Sequence, residues 1–230
     1  MPTAVVTGAN SGIGNALAQI LVKEGYKVIG ADITLGDEIK KLGCQSEQLD
    51  VASPESIQAF KQKVGDQSVD LLLNIAGVAA SPSDDNLESV NASLLHRNFT
   101  INTFGPLLLT QALLPNILKS SNPRVVVMSS RMGSIADNST GGWYAYRGSK
   151  AAVNALFKSL AVDLKDRNVP VVLLHPGIVK TNIFQGQSWE GIQGAVEADQ
   201  AAAELWRVLM SKGLESTGKW WHRNGEELPW

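Results

Sequence analysis

The chain reads as an α/β protein, a single domain over residues 1–230 built on a doubly wound parallel sheet with helices on both faces. Three observations predict this class. Short apolar runs rich in Val, Ile and Leu, at residues 3–7, 27–31, 69–73, 124–128 and 170–174, have the length and composition of buried strands. Helical patterns at about 13–24, 54–64, 89–118, 146–166 and 198–212 alternate with them, as parallel strands joined by helical crossovers require. A length of 230 residues suits one such domain with a substantial core, and no repeat or Gly/Pro/Ser-rich linker divides it. The looser stretches at 81–86 and 182–197 read as rim loops.

The first element, Thr3-Ala4-Val5-Val6-Thr7, is β-branched and apolar, and runs directly into Gly8-Ala9-Asn10-Ser11-Gly12-Ile13-Gly14. A helical pattern follows from Asn15. Strand, glycine-rich turn and helix together form the context of a dinucleotide site, although the spacing G-x-x-x-G-x-G differs from G-x-G-x-x-G. Glycines let backbone approach a pyrophosphate, and a helix N-terminus offers it free N–H groups and a positive dipole end. Lys27-Val28-Ile29-Gly30-Ala31 then forms the second strand, with Asp32 at its carboxyl end, 18 residues beyond Gly14. That is near the spacing of about 20 expected for an acid that binds the adenosine ribose hydroxyls. A carboxylate there repels a 2′-phosphate, and neither Asn10, Ser11 nor Ile33 supplies a compensating cation. NAD is therefore predicted over NADP.

Further along, Ser129-Ser130 ends the strand over 124–128, bringing hydroxyls that can donate to a carbonyl oxygen as charge develops there. Tyr146 and Lys150 stand four residues apart at the start of a helix, on one face. An ammonium held beside a phenol favours the phenolate, so Lys150 is expected to lower the Tyr146 pKa from about 10. Tyr144 is a rival phenol, but it has no lysine four residues on.

Composition excludes other classes. Twenty basic and twenty-two acidic residues leave a net charge of −2 without long runs of either sign, which predicts no nucleic-acid groove and no anionic-membrane surface. Cys44 stands alone, and His96, His175 and His222 are scattered without ligand spacing, so no metal site is predicted. No basic-apolar leader or apolar run of about 20 residues is seen, which predicts a cytoplasmic protein.

In order along the chain, Thr7-Gly8-x-x-x-Gly12-Ile13-Gly14, Asp50-Val51, Asn74-Ile75-Ala76-Gly77, Asn102, Ser129-Ser130, Tyr146-x-x-x-Lys150 and Pro176-Gly177-x-Val179-x-Thr181 resemble the motifs of the classical short-chain dehydrogenase/reductase family. The resemblance covers nearly the whole chain. Ser-Ser-Arg-Met-Gly-Ser at 129–134, Gly-Gly-Trp-Tyr-Ala-Tyr-Arg at 141–147 and the closing Gly-Glu-Glu-Leu-Pro-Trp look nearest to its C-factor (C-signal) and sniffer-like carbonyl reductase branch.

This resemblance implies a Rossmann-type domain and assigns a task to each strand end. Asp50 and Val51 would lie against the adenine. Small residues at Ala76 and Gly77 would admit the adjacent ribose. Asn74 would bind there or hold two strands together. Pro176, Gly177, Val179 and Thr181 would hold the nicotinamide carboxamide. Ser130, the second serine of its pair, would be the catalytic one, although it lies 16 residues before Tyr146, farther than is usual. Residues 137–143 account for that excess and read as a substrate-facing insertion. Asn102, favoured over Asn98 by the following Gly105-Pro106, would bind a water linking Lys150 to solvent, and Gly105-Pro106 would disturb its helix.

The implied activity is interconversion of a carbonyl and an alcohol. Phe184, Trp189 and Trp143 point to an apolar or aromatic ketone or aldehyde, with the segment 182–189 as wall and lid. A second function, suggested by the branch, is an NAD-binding signalling protein with little turnover. Members of the family pair through helices corresponding to 89–118 and 146–166, which implies a homodimer or homotetramer; Leu107, Leu108, Leu109, Leu113 and Leu114 could serve that interface or the core. The aromatic tail from Trp220 to Trp230 is expected to dock on its own domain or on a neighbour.

Overall fold

The computed structural model describes residues 1–184 and 189–230. Five strands form where apolar runs were predicted: β1 (Thr3–Thr7), β2 (Lys27–Asp32), β4 (Leu71–Asn74), β5 (Arg124–Met128) and β6 (Val171–His175). Two more complete the sheet, β3 (Gln45–Gln48) and β7 (Trp220–His222). All pairings are parallel and the order is β3-β2-β1-β4-β5-β6-β7. The chain winds outward in one direction from β1 to β3, then returns to β4 on the other side of β1. A crevice opens at such a reversal, beyond the carboxyl ends of β1 and β4.

Successive side chains of each strand point to opposite faces, so a sheet covered on both sides needs apolar residues throughout. Val5, Ile29, Leu72, Val125 and Leu173 pack against α3 (Pro54–Val64), α5 (Gly105–Ile117) and α6 (Tyr144–Lys165) through Phe60, Leu109, Leu113 and Phe157. On the other face Val6, Val28, Leu73, Val126 and Val172 meet α1 (Gly12–Lys23) and α7 (Ala198–Met210) through Leu17, Leu21, Leu205 and Leu209. Leu109 and Leu113, offered above as interface or core, are fully buried core residues, whereas Leu108 is exposed. A short α2 (Asp37–Lys41) precedes β3.

The helical stretch predicted over 89–118 divides into α4 (Ala92–Phe99), a π-helical turn over Thr100–Phe104, and α5. Asn91 caps α4, its side chain accepting from the Leu94 N–H at 3.0 Å. The division has a local cause. Pro106 carries no N–H, so it cannot give the α-helical bond to the Asn102 carbonyl, and the Gly105 N–H reaches back five residues to the Thr100 carbonyl.

The aromatic tail docks on its own domain. Trp220 in β7 is fully buried and stacks on Trp230 with ring centroids 5.7 Å apart. The Ala136 N–H donates to the Trp230 carbonyl at 3.1 Å, tying the tail to the loop before α6. Among the described residues no helix is long and apolar enough to cross a membrane.

Candidate active site

The carboxyl ends of β1 to β6 surround a cleft of about 1100 Å³. It runs from Asp32, Asp50 and Val51 past the glycine turn to Ser130, Tyr146 and Lys150, and on to Phe184 and Trp189. Of the segment predicted as wall and lid, residues 185–188 lie outside the described residues; Asn182, Ile183, Phe184 and Trp189 do line the cleft.

The glycine turn is built for close approach. A Cβ on Gly14 would lie 2.2 Å from the Gly8 carbonyl oxygen, so α1 can begin this close to β1 only with glycine there. Gly12 adopts φ +54°, a left-handed conformation costly for residues with a side chain. Ser11 is extended and its side chain makes no cap bond, and no acidic residue stands in the first turn of α1. The opening N–H groups of α1 therefore face the cleft with their dipole unneutralised, which fits an anionic diphosphate. Gly8, Ser11, Gly12, Ile13 and Gly14 all line the cleft, with Thr181 opposite, its Cγ2 3.2 Å from where a Gly12 Cβ would stand.

Asp32 ends β2 with its carboxylate fixed by the Asn10 N–H at 2.9 Å and the Thr34 N–H at 3.1 Å. Asp50 is held by the Ala52 N–H at 2.9 Å. The Thr7 hydroxyl oxygen accepts from the Ile75 and Ala76 N–H groups, both at 3.0 Å, which presents Ala76 and Gly77 to the cleft. Pro176, Gly177 and Val179 line it from the loop after β6.

Four predicted residues do not line the cleft. Trp143 stands outside it, against Phe184, with ring centroids 5.1 Å apart. The Asn10 side chain turns away and accepts from the Ile39 N–H at 3.3 Å. Asn74 is buried and donates to Thr110 Oγ1 and the Val126 carbonyl, both at 3.2 Å, bracing β4 against α5 and β5. Asn102 is also buried. Its side chain closes two 2.8 Å bonds on the Val78 backbone and donates to Ser149 Oγ at 3.0 Å. What Asn102 leaves without an α-helical donor is its carbonyl, because of Pro106.

At the reacting end, the two serines separate by environment. Ser129 Oγ donates to Asn154 Oδ1 at 2.6 Å, facing into α6. Ser130 acts on the Tyr146 phenol and accepts from the Met132 N–H at 3.2 Å. Lys150 is buried, donates from Nζ to the Met128 carbonyl at 2.9 Å, and stands 5.7 Å from the Tyr146 ring centre.

The electrostatics correct one expectation. Burial pushes the Tyr146 phenol up to about 12, and its hydrogen bond with the Ser130 hydroxyl lowers it only in part. The same burial brings Lys150 down to about 8. Desolvation, which disfavours each charged form, outweighs the mutual benefit of a cation near a phenol. The phenol is therefore protonated at neutral pH.

Sequence spacing gave no sign of two features of this end. His175 and His222 meet at the cleft wall with ring centroids 5.3 Å apart. The His175 Nδ1 accepts from the Arg131 N–H at 3.2 Å, and burial first, then the nearby His222 and arginines, pushes its pKa down to about 3. Asp85, from the loop at 81–86, is 1 % exposed and reaches the N-terminus of α6. Both pairings join segments far apart in sequence. Among the described residues no three of His, Cys, Asp and Glu group closely enough to hold a metal ion.

A profile of the short chain dehydrogenase family matches residues 2–190. The chain belongs to the short-chain dehydrogenase family. Over its full length it is 34% identical to the 1-hydroxy-2-glutathionyl-2-methyl-3-butene dehydrogenase of Rhodococcus sp. (strain AD45), the match covering 100% of both chains. It is 37% identical to the C-signal of Myxococcus xanthus over 174 residues, which are 76% of this chain and 100% of that one. Among solved structures, the NADPH-bound carbonyl reductase from chicken fatty liver superposes with a TM-score of 0.88 at 28% identity, covering 100% of this chain and 99% of that one. The carbonyl reductase Sniffer of Drosophila melanogaster gives 0.88 at 26% identity with 100% of both covered. This short-chain dehydrogenase thus falls in the C-signal and sniffer-like branch that its motifs suggested.

Proposed function

We propose that the protein is a nicotinamide-dinucleotide-dependent oxidoreductase that interconverts a carbonyl and an alcohol at Ser130 and Tyr146. The observation that carries this reading is the placing of two hydroxyls and a buried lysine at one end of a cleft whose other end is a glycine-rich helix N-terminus. Ser130 and Tyr146 hold the substrate oxygen. Tyr146 gives it a proton in reduction and takes one in oxidation. Lys150, on the same helix face as Tyr146, supplies positive charge that stabilises the phenolate left behind. The Asn102 carbonyl, without an α-helical donor, can hold a water on the route to Lys150.

A bound dinucleotide supplies or accepts the hydride. The α1 N-terminus with Gly12, Ile13 and Gly14 would hold its diphosphate; Asp50, Val51, Ala76 and Gly77 its adenosine; Lys150 the second ribose; and Pro176, Gly177, Val179 and Thr181 its carboxamide. Asp32 favours NAD, because its fixed carboxylate would repel a 2′-phosphate and its neighbours Ser11 and Ile33 are uncharged. The chicken carbonyl reductase holds NADPH, which speaks against this preference and for NADP.

The substrate wall is aromatic: Phe184 and Trp189 line the cleft, and Trp143, outside it, packs on Phe184. Trp143 and Phe184 meet edge to face with centroids 5.1 Å apart, and both stand against Tyr146, at 6.4 and 5.7 Å. That surface favours an apolar or aromatic ketone or aldehyde. The similarity to C-signal supports a second reading, in which a bound dinucleotide serves signalling with little turnover. NADH oxidation with a series of aromatic and aliphatic carbonyls decides between them. Turnover fastest with aromatic carbonyls is expected; tight NADH binding without turnover of any carbonyl would favour signalling.

A further inference from the structure

The helix that carries Tyr146 lacks an N-terminal cap of its own. Trp143, at its N-cap position, makes no side-chain cap bond, and no acidic residue stands in its first turn. Trp143 also has φ +55°, and Gly141 and Gly142 before it have φ +64° and +63°. Three consecutive left-handed residues end the insertion that separates Ser130 from Tyr146, and a tryptophan pays a conformational cost there that glycine does not. Such a turn persists only when its surroundings fix it.

Asp85 does so from 60 residues earlier. One carboxylate oxygen accepts from the Ala145 N–H at 2.8 Å, and the other accepts from the Tyr146 N–H at 3.0 Å. The Asp85 carbonyl accepts from the Trp143 N–H at 2.7 Å. One residue thus satisfies three amides on consecutive sides of the turn, and its carboxylate lies at the positive end of α6, where an anion is stabilised. Its own loop is firmly held. The Asp85 N–H returns to the Ser81 carbonyl at 3.2 Å, and Asn86 Nδ2 donates to the Ser83 carbonyl at 2.9 Å.

We propose that Asp85 is the positioning residue of this active site: it clamps the left-handed turn at Trp143 and thereby sets both the Tyr146 phenol and the aromatic wall of Trp143 and Phe184. This rests on the oxidoreductase reading above for its kinetic consequence, but not for the clamp itself. Asp85 touches neither the phenol nor the substrate; it acts through the backbone of the residue that does. The long insertion between Ser130 and Tyr146 is tolerated because the clamp, and not the length of the connection, decides where α6 begins.

The test compares the wild type with Asp85→Ala and Asp85→Asn, and with Asn116→Ala as a control. Asn116 makes two 2.7 Å bonds to the Gly65 and Gln67 carbonyls, at the end of the sheet away from the cleft. Three quantities are measured: kcat for carbonyl reduction, the NADH dissociation constant, and hydrogen exchange of the Trp143, Ala145 and Tyr146 amides. Asp85→Ala is expected to lower kcat roughly 10- to 100-fold, as small displacements of a reacting group do, with NADH affinity unchanged and the three amides exchanging faster. Asp85→Asn keeps one acceptor oxygen and should recover part of kcat. Asn116→Ala should lower the melting temperature and leave kcat near wild type. Wild-type kcat in Asp85→Ala, or unchanged exchange of the amides, would overturn the proposal. A wild type without turnover would instead remove the oxidoreductase reading, and amide exchange would still decide the clamp.

Discussion

At the scale of single residues, burial governs the chemistry. Tyr146 at about 12 is protonated throughout the physiological range, ready to donate in carbonyl reduction, while Lys150 at about 8 loses its charge just above it. The initial rate of reduction should therefore stay level to about pH 7 and fall as the pH rises through about 8; a rate that climbs across that interval would contradict the assignment. His175 gives a second pH effect with its own sign. Its folded pKa of about 3 lies below the ordinary value of 6.5, so between these the unfolded chain binds more protons. Stability should be lost as the pH falls from about 6.5 towards 3, and His175→Gln should flatten that dependence in denaturant titrations. Tyr146, Lys150 and the glycines were legible because their chemistry depends on near neighbours in sequence. The pKa values were not, since the burial that sets them comes from the whole fold, and Asp85 was not, since its partners lie 60 residues away.

At the scale of elements, the parts that could be read were those with apolar periodicity. The interiors of β1, β2, β4, β5 and β6 are buried on both faces and are rich in Val, Ile and Leu. Gln45–Gln48 shows no such run, because β3 is an edge strand with largely polar side chains, and the resemblance alone pointed to it. β7 was legible only as an aromatic tail that must dock: a three-residue strand is too short to show a period. Gly105-Pro106 did mark a disturbance, and the missing Pro106 N–H explains why it takes the form of a π turn around Asn102. The junction of β1 and α1 allows a direct check. Gly14→Ala would place a methyl carbon 2.2 Å from the Gly8 carbonyl oxygen. Overpacking of this kind costs about 1–3 kcal/mol; falling on the loop proposed to hold the diphosphate, it should weaken NADH binding by roughly 10- to 100-fold. Titration of NADH fluorescence reads this, and unchanged affinity would show that the loop does not hold the dinucleotide.

At the scale of the whole molecule, one parallel sheet gathers functional groups from six strand ends into a cleft of about 1100 Å³. The reversal between β1 and β4 puts the proposed dinucleotide end and the proposed reacting end in one continuous groove. On the proposed reading Asp32, at one end of that groove, sets cofactor choice at a distance from the chemistry: Asp32→Ala should raise kcat/KM for NADPH relative to NADH, without changing the order of preference among carbonyls. The central claim is that Tyr146 donates the proton in a dinucleotide-dependent carbonyl reduction. The measurement that tests it most directly is the initial rate of NADH oxidation with an aromatic ketone for the wild type and Tyr146→Phe, alongside the NADH affinity of each. A fall of roughly 100-fold or more in the variant, with NADH affinity retained, is predicted. Equal rates in the two proteins would contradict it.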